Sequence, residues 1–393
     1  MLAVLSTPRK LLRKAAALVV LMGLAACDPA ITAGTGPGGS PRVNASSPVP
    51  VALLVPRSDS NAASVASSLE NAARLALASL DGVQIDLRVY DTGGDAQRAA
   101  VQAETAVAEG AQIILGPLFG EAANAVGVAV ANNNVNVLSF SNNPSIAGGN
   151  VFVLGTTFRN TADRLLRYTS RQGQTSVVIV HPRNVEGEFG KSAIQAAASQ
   201  NGVRVAGVES FAFSQEGVAD AVPRIRDSVD SNGADSLFIT SNAAGALPIL
   251  LQLLPESGVD PDRTQYMGLA RWDVPSQLMS MPGAQGGYFT LPDSAAKNAF
   301  DTRYRARYDA DPHPLAGLAF DGIAAIGALV KQGRPDALSA RALTQNSGFQ
   351  GANGVFRIRP DGTNERALAV ATVRNNQVTI LDPAPSGFGG AGF

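Results

Sequence analysis

Two short apolar runs with a helix-like segment between them constrain the fold of this chain more than any other feature. The first run, 111–115, ends in the turn residues 116–120, and the second, 135–138, ends in the polar segment 139–143. An Ala/Val-rich segment joins them, so the pattern predicts a strand, a helix and a parallel strand. Because parallel strands present their carboxyl ends at one edge of a sheet, we expect the two turns to lie side by side along a cleft.

Patterns of the same kind continue along most of the chain. Short apolar runs alternate with segments that carry apolar residues at helical spacing, and Gly, Pro, Asn or Asp separate them. The predicted strands are 51–55, 85–90, 111–115, 135–138, 151–154, 177–180, 203–208, 236–240, 264–267, 286–290, 355–358, 367–374 and 378–381. The predicted helices outside the first unit are 61–80, 96–109, 160–172, 191–200, 218–231, 246–254, 294–308, 315–331 and 337–345. The sequence therefore predicts an α/β fold of two doubly wound, Rossmann-like domains with a cleft between them.

The first 27 residues have the layout of a secretory signal. Basic residues between positions 9 and 14 precede the apolar run 15–26, which is too short to span a bilayer comfortably. The segment 24–27, Leu-Ala-Ala-Cys, resembles the lipobox of bacterial lipoproteins, in which the cysteine is lipidated after cleavage. The resemblance implies a signal peptide at 1–26, lipidation of Cys27 and a periplasmic protein that this lipid anchors to the inner or the outer membrane.

Composition and charge exclude several classes of partner and site. Cys27 is the only cysteine among 393 residues, which excludes an intrachain disulfide and a cysteine-based metal site. The net charge is −1 and no Lys/Arg-rich run lies outside the N-terminus, so we expect no nucleic-acid partner. Residues 28–50 are rich in Gly, Pro and Ser without apolar periodicity, which predicts a flexible tether at 27–50 behind the lipidated cysteine.

Motifs typical of enzymes are incomplete in this chain. Ser294 and Lys297 fit the S-x-x-K pattern, but no S-D-N or K-T-G motif accompanies them. Neither G-x-S-x-G nor H-E-x-x-H occurs, and the two histidines, His181 and His313, are far apart in sequence. A G-x-G-x-x-G match at 34–39 lacks the strand and helix that a dinucleotide site requires. We therefore predict a non-enzymatic protein that uses neither a cofactor nor a metal.

Several motifs along the folded part, taken in order, resemble those of one protein class. They are Tyr90-Asp91, Gly110-Ala111, Gly116-Pro117, the loop with Ser139 and Ser141, Phe189-Gly190, Phe320-Asp321-Gly322, and Gly351 with Gly354. Together they resemble the leucine-binding class of type I periplasmic binding proteins over residues 50–382. The resemblance implies an N-terminal lobe of 51–158 and 291–346 and a C-terminal lobe of 159–290 and 347–382. Residues 383–393 are then predicted to be a disordered tail.

Five further stretches narrow the resemblance. They are Gly116-Pro117-Leu118-Phe119, 138–142, 151–155, Arg271-Trp272-Asp273 and 381–385. These stretches look like those of penicillin-binding protein activators, lipoproteins that use this fold to stimulate a peptidoglycan synthase. The resemblance implies a penicillin-binding protein as the partner. The alternative is a solute receptor of an ABC importer for branched-chain or other amino acids or similar ligands, with an ABC permease as its partner.

Three polar residues of the second turn are candidates for ligand binding. Amino-acid receptors of this class hold the ligand carboxylate with loop hydroxyls and with amides at helix N-termini. The resemblance places Ser139, Ser141 and Asn142 at this position. The alternative interpretation is that these residues only cap a helix.

Three apolar residues at the predicted cleft disfavour an amino-acid ligand. Leu118 and Phe119 occupy the loop where such receptors usually present a hydroxyl, and Phe189 stands where they often have a tyrosine. Replacing a donor with an apolar side chain leaves a buried ligand carboxylate short of a partner, at a cost of about 1–3 kcal/mol. These three side chains favour the activator over the receptor.

Arg271 and Trp272 follow a predicted strand and are expected to reach the same cleft. One interpretation is an aromatic platform beside an arginine that binds an anion or a partner. The other is a core indole covered by a surface arginine. Glu186 and Glu188 lie in a polar segment that is predicted to be solvated surface.

Overall fold

The computed structural model of the chain describes residues 41–44 and 46–389. The predicted signal peptide and the lipidation site Cys27 lie outside the described residues, as does most of the predicted tether. None of the described helices combines the length and the apolar character that a membrane span requires.

Fifteen strands form three sheets in this part of the chain. In chain order they are β1 Val49–Val55, β2 Ile85–Asp91, β3 Ile113–Leu115, β4 Asn136–Ser139, β5 Val151–Val153, β6 Ser176–Pro182, β7 Arg204–Phe211, β8 Ser236–Ile239, β9 Gln265–Gly268, β10 Tyr288–Leu291, β11 Phe349–Gly351, β12 Gly354–Ile358, β13 Asn364–Arg366, β14 Ala369–Arg374 and β15 Gln377–Asp382. The first sheet has the order β2-β1-β3-β4-β5 and is parallel throughout. The second has the order β15-β14-β10-β9-β8-β6-β7, with β14 antiparallel to both of its neighbours. The third, β11-β12-β13, is a small antiparallel sheet.

Helices cover both faces of the two large sheets. They are α1 Ala63–Leu77, α2 Ala96–Ala108, α3 Gly120–Val130, α4 Phe158–Arg171, α5 Val185–Gln200, α6 Gln215–Asn232, α7 Leu247–Glu256, α8 Ser294–Tyr308, α9 Ala316–Val330 and α10 Ala340–Leu343. The adjacent residues Leu53 and Leu54 of β1 are buried against opposite layers, α1 with α9 and α2 with α3, because side chains alternate along a strand. In the second sheet, α6 and α7 cover one face and α4 and α5 the other.

This arrangement confirms the predicted α/β fold with two doubly wound sheets. We call the first sheet with its helices the N-terminal lobe, and the second sheet with its helices the C-terminal lobe. Asn364, in β13, connects the third sheet to the segment that follows β5. Its side-chain amide donates to the carbonyls of Val153 and Gly155, each at 2.8 Å.

Helix α5 differs most from the sequence prediction, because it begins at Val185 rather than at 191. The side chain of Asn184 accepts a hydrogen bond from the backbone N–H of Gly187 at 2.8 Å and so caps the helix. Gly187 and Gly190 fall in its first two turns, and glycine weakens a helical pattern in sequence. The strands β11 and β13 are not predicted, since three residues are too few for a periodicity to register.

Residues 349–358 pack with the first sheet rather than the second. Phe349, Phe356 and Ile358 belong to the core cluster that also contains Leu53. Of the stretch 347–382, which the sequence prediction assigns to the C-terminal lobe, β14 and β15 join the second sheet, and β11, β12 and β13 form the third sheet. An apolar pattern identifies a strand but not the sheet it joins.

Two segments that are predicted to be flexible make ordered contacts. Val43, in the predicted tether, is 7% exposed, and its N–H donates to the carbonyl of Pro335 at 2.9 Å. In the predicted tail, the ring of Phe388 lies 4.5 Å from the guanidinium of Arg357. Val43 and Phe388 therefore each contact a residue of the folded part of the chain.

Candidate functional site

A cavity of about 720 Å³ lies between the two lobes. The N-terminal lobe contributes residues 142–144, which follow the carboxyl end of β4. The C-terminal lobe contributes α4 and α5, and the turn between β12 and β13 forms a third side. A molecule inside this cavity would touch both lobes.

Helix α4 forms the polar wall of the cavity. Its start is fixed by a reciprocal cap, in which Oγ1 of Thr157 accepts from the N–H of Asn160 and the Asn160 side chain accepts from the N–H of Thr157. Residues three and four apart then fall on one helix face. On the cavity side these are Asn160, Asp163, Arg164 and Arg167. The opposite face packs on the second sheet through Leu165 and Leu166.

Arg164 is the most buried charged side chain of this wall, with 5% of it exposed. Its Nε donates to the carbonyl of Leu368 at 2.6 Å, and its Nη2 lies 3.0 Å from Oδ2 of Asp382, which Arg171 also contacts at 2.9 Å. Its Nη1 is buried without a hydrogen-bond partner. Burial lowers the pKa of Arg164, Asp382 opposes this, and the charges of Arg171 and Arg167 add to it. Arg164 therefore shares the carboxylate of Asp382 with Arg171.

Asp163 supplies the carboxylate on the cavity face of α4. Its Oδ2 lies 2.7 Å from Nε of Arg159. Burial raises the pKa of Asp163, while the charges of Arg159, Arg167 and Arg359 act to lower it. These arginines therefore converge on the same part of the cavity.

Helix α5 forms the facing wall, and this wall is largely apolar. Val185 is 72% exposed and Phe189 is 45% exposed, and both line the cavity. Ala193 continues the apolar surface one turn further along the helix. The cavity thus sets an arginine-bearing wall against an apolar one.

The turn between β12 and β13 is held by its own side chains. Oδ1 of Asp361 accepts from the N–H of Thr363 at 2.9 Å. Glu365 pairs with Arg357 at 2.7 Å and lies 3.6 Å from Arg359. Arg359 therefore stands at the cavity rim, loosely paired.

A smaller cavity of about 160 Å³ lies at the carboxyl ends of β6 and β8. Thr240 and Ser241 line it, and the hydroxyl oxygens of both are buried without a hydrogen-bond partner. Glu186 borders both cavities, and its Oε1 accepts from the side-chain amide of Asn242 at 3.3 Å. Glu186 is exposed, as predicted, but it lies at the cleft rather than on a remote surface.

The predicted polar residues of the second turn mainly hold the turn together. Oγ of Ser139 donates to the carbonyl of Pro117 at 3.2 Å and accepts from the N–H of Ser141 at 3.1 Å. Oγ of Ser141 in turn accepts from the N–H of Asn143 at 3.1 Å. Asn142 is exposed and lines the large cavity. Of the three candidates, the structure places Asn142 at the site and engages the two serines within the loop.

The predicted apolar residues fall in two places. Leu118 packs against the core of the N-terminal lobe, and Phe119 is 39% exposed at the start of α3. Phe189 lines the large cavity, whereas Leu118 and Phe119 line neither cavity. Phe189 and Asn142 are thus the two predicted residues that the structure brings together.

Trp272 is a core residue in the structure rather than a cleft platform. It is fully buried, and its ring stacks on Phe289 with centroids 6.4 Å apart. The backbones of Gly268 and Gly287 lie against the indole, since a Cβ at either position would come within 2.2 Å of it. Arg271 is exposed and pairs with Asp273, and neither Arg271 nor Trp272 lines either of the two cavities described above. This placement favours the second interpretation, in which Trp272 belongs to the core and Arg271 lies at the surface.

The charged residues of the large cavity are the part of the site that sequence reasoning missed. The spacing of 160, 163, 164 and 167 on a predicted helix is the available signal, since it marks one polar face. In the sequence, such a polar face predicts ordinary solvated surface. In the structure, α5 and the β12–β13 turn lie opposite this face and enclose the cavity. Within residues 41–44 and 46–389, no three His, Cys, Asp or Glu side chains are grouped to hold a metal ion.

A family model described as periplasmic binding protein matches residues 48–377 of the chain. No curated protein sequence shows a significant match. Solved structures do resemble it, including a branched-chain amino acid ABC transporter periplasmic ligand-binding protein from Burkholderia xenovorans LB400. That protein is 15% identical with a TM-score of 0.67, and the match covers 86% of this chain and 96% of the other.

Two further structures of this kind contain a bound ligand. An ABC transporter substrate-binding protein from Desulfitobacterium hafniense in complex with Leu is 17% identical, with a TM-score of 0.61 over 85% of this chain and 100% of the other. A solute-binding protein from Rhodopseudomonas palustris BisB5 in complex with 3,4-dihydroxybenzoic acid is 17% identical, with a TM-score of 0.56 over 86% and 98%. At these identities the likeness establishes the fold.

Proposed function

This chain belongs to the periplasmic binding protein family, and on that premise we propose that it captures a small solute between its lobes and presents it to an ABC permease. The family is a non-catalytic, solute-binding class, and it places the chain in the periplasm. Solved relatives of this fold include transporter proteins that bind leucine and 3,4-dihydroxybenzoic acid.

The observation that carries this proposal is a cavity of about 720 Å³ with walls from both lobes. That volume suits a small molecule. A ligand that contacts both lobes binds the closed arrangement more tightly than the open one, so it shifts the protein toward closure. In this proposal, the permease recognises the closed, ligand-bound conformation.

Thermal unfolding of the purified protein across amino acids, organic acids, sugars and nucleosides tests the receptor function. A ligand at 100 times its Kd stabilises the fold by about 2.7 kcal/mol, which raises the melting temperature measurably. A rise with one chemical class supports the receptor. No shift with any class contradicts it.

A second function, activation of a penicillin-binding protein, is supported by apolar side chains near the cleft. Val185, Phe189 and Phe213 border the two cavities and are 72%, 45% and 62% exposed, and Phe119 is 39% exposed at the carboxyl edge of the first sheet. Exposed aromatic residues of this kind anchor protein interfaces. Co-purification with periplasmic penicillin-binding protein domains tests it, with Phe213→Ser expected to weaken capture. Capture that is absent, or unchanged by Phe213→Ser, argues against this function.

We also propose that Cys27 carries the lipid that anchors the protein to a membrane. The support is the resemblance of residues 24–27 to a lipobox and the basic and apolar run before them. Mass spectrometry of the protein from its membrane fraction checks this. Cys27→Ser is expected to release the protein into the soluble fraction, and a Cys27→Ser protein that stays in the membrane contradicts it.

A further inference from the structure

The chain joins the two lobes by crossings between β5 and α4, between β10 and α8, and between β13 and β14. Helix α4 packs in the core of the C-terminal lobe through Leu165, and α8 packs in the core of the N-terminal lobe through Phe300. Residues 383–388, which follow β15, run from the second sheet to the third and add a link that is not covalent.

The first end of this segment is fixed to α4 of the C-terminal lobe. Nη2 of Arg164 donates to the carbonyls of Asp382 and Pro383, each at 3.3 Å. Oδ2 of Asp382 lies 3.0 Å from the same nitrogen and 2.9 Å from Nη2 of Arg171. Two arginines of α4 therefore define the position at which the segment leaves β15.

The other end of the segment lies on the third sheet. The guanidinium carbon of Arg357, in β12, is 4.5 Å from the centroid of the Phe388 ring. The ring also lies against Gly348, since a Cβ at that position would come within 2.6 Å of it. Phe388 is half-buried, whereas the adjacent residue Gly387 is exposed. We call Gly348 and Arg357 the Phe388 seat.

The Phe388 seat is packed onto the N-terminal lobe. Phe349 and Phe356, which adjoin the two seat residues in sequence, belong to the core cluster of that lobe. The buried pair of Asp321 and Arg366 also joins the third sheet to α9. The two ends of segment 383–388 are therefore held by different lobes.

The connection between the two ends is short and stiff. The path from Asp382 to Phe388 spans at most about 20 Å when it is fully extended. Pro383 and Pro385 each fix one backbone angle in this path. Pro385 also lines the large cavity, so the segment passes along it. A rotation that moves α4 away from the third sheet must therefore release one end.

We infer that residues 383–388 form a strap that biases the two lobes toward the arrangement in this structure, and that release of Phe388 from its seat frees the lobes to rotate. A ligand or partner that requires another arrangement has to overcome this bias, so the strap lowers its apparent affinity. The inference goes beyond the proposed function and does not depend on which solute the cavity takes.

Distances between spin labels on the two lobes test the strap in the full chain. Cys27 is the only cysteine, so Cys27→Ser is a background for labels at Val128→Cys on α3 and Asp227→Cys on α6, both exposed positions. We expect one dominant distance by pulsed EPR. Phe388→Ala, and a chain that ends at Pro385, should each add a second distance, whose population relative to the first rises roughly threefold to thirtyfold.

Two further variants are matched to Phe388→Ala. Arg357→Lys keeps the charge that pairs with Glu365 but loses the planar group beneath the ring. It should shift the distances in the same direction and add little when it is combined with Phe388→Ala. Val208→Ala removes an apolar side chain, 39% exposed, from β7 at the other edge of the second sheet, and should leave the distances unchanged.

The readout separates a strap from an ordinary packing contact. A packing contact changes the stability of the protein but not the distance between lobes that remain folded, and circular dichroism with melting shows that each variant is folded. Distances that are unchanged in both Phe388→Ala and the chain that ends at Pro385 overturn the strap. An equal change in Val208→Ala overturns its location. Several distances with the strap intact overturn the bias toward one arrangement. None of these outcomes decides whether a solute binds, which the melting experiment with ligands tests.

Discussion

Oδ2 of Asp321 lies 2.8 Å from Nη1 of Arg366, and both side chains are excluded from solvent. The pair joins α9 to β13, and the same arginine donates through Nε to the carbonyl of Leu154 at 3.0 Å. Oδ1 of Asp321 accepts from the N–H of Ala352 at 2.7 Å. This buried ion pair thus connects α9 of the N-terminal lobe to β13 of the third sheet.

Removing one member of this pair should strongly destabilise the protein. Asp321→Ala leaves the Arg366 charge buried without its partner, so we expect a loss of about 3–5 kcal/mol in the free energy of unfolding. Asp336→Ala breaks an exposed pair with Arg334, 2.7 Å apart, and should change the stability far less, because solvent screens this pair. Urea unfolding of both variants measures the difference, and equal losses would show that burial of the pair does not matter.

Gly116 should tolerate no side chain, because the backbone of β1 passes too close. A Cβ there would lie 2.2 Å from the carbonyl oxygen of Leu54, whereas a Cβ at Gly110 would meet nothing within 4 Å. Both glycines have φ of +95°, so Gly110→Ala is a matched control for backbone strain alone. We expect roughly 1–2 kcal/mol for Gly110→Ala and about 1–3 kcal/mol more for Gly116→Ala. Chemical unfolding at neutral pH checks this, and similar losses would contradict it.

Asp91 should stabilise the fold in a pH-dependent way. Burial acts against its charge, but hydrogen bonds from Ser58 and Gly93 and the charge of Arg98 lower its pKa to about 2. A depressed folded-state pKa stabilises the protein above the unfolded pKa of about 4, and this contribution is lost as pH falls from about 4 toward 2. The side chain is 24% exposed, so screening reduces the contribution to roughly 1–2 kcal/mol.

Asp91→Asn therefore should lose that amount at pH 7 and match the native protein near pH 2. Unfolding free energies measured between pH 7 and pH 2 give the comparison. The exposed Asp81→Asn is the control and should stay within about 0.5 kcal/mol throughout. A gap for Asp91→Asn that does not close at low pH would exclude titration of Asp91 as its cause.

Trp272 should report unfolding but not ligand binding. It is the only tryptophan, it is fully buried, and it lines neither cavity. We expect blue-shifted emission that iodide does not quench in the folded protein and a red shift only in the unfolding transition. Quenching in the folded state would place the indole at the surface and contradict the core position.

Phe388 should stabilise the end of the chain against the N-terminal lobe. Its ring lies 4.5 Å from the guanidinium of Arg357 and within reach of Gly348. Phe388→Ala removes the cation–π contact and buried ring surface, and we expect a loss of about 0.5–2 kcal/mol. Urea unfolding measures it, with the exposed Val128→Ala on α3 as a control of small effect. An unchanged free energy of unfolding would show that the contact between Phe388 and Arg357 does not stabilise the protein.

The sequence by itself determined the doubly wound α/β fold, because apolar periodicity records which face of each element is buried. Helix α8 begins and ends at the predicted residues, and the strands around residues 113 and 136 pair in parallel as their spacing predicts. A cleft beside the second turn, which includes Asn142, also follows from strand polarity alone. Phe189 was placed at the cleft by the resemblance to the leucine-binding class.

Only the tertiary structure decided which side chains meet in the cleft. Arg164 contacts Leu368 and Asp382, which lie 204 and 218 positions away, and no local pattern records a contact over such a distance. The same holds for Trp272, whose indole packs against Gly268, at the end of β9, and Gly287, just before β10. Burial patterns are local and repeat every two or 3.6 residues, whereas the charge balance of a cavity depends on which distant elements the sheet order brings together.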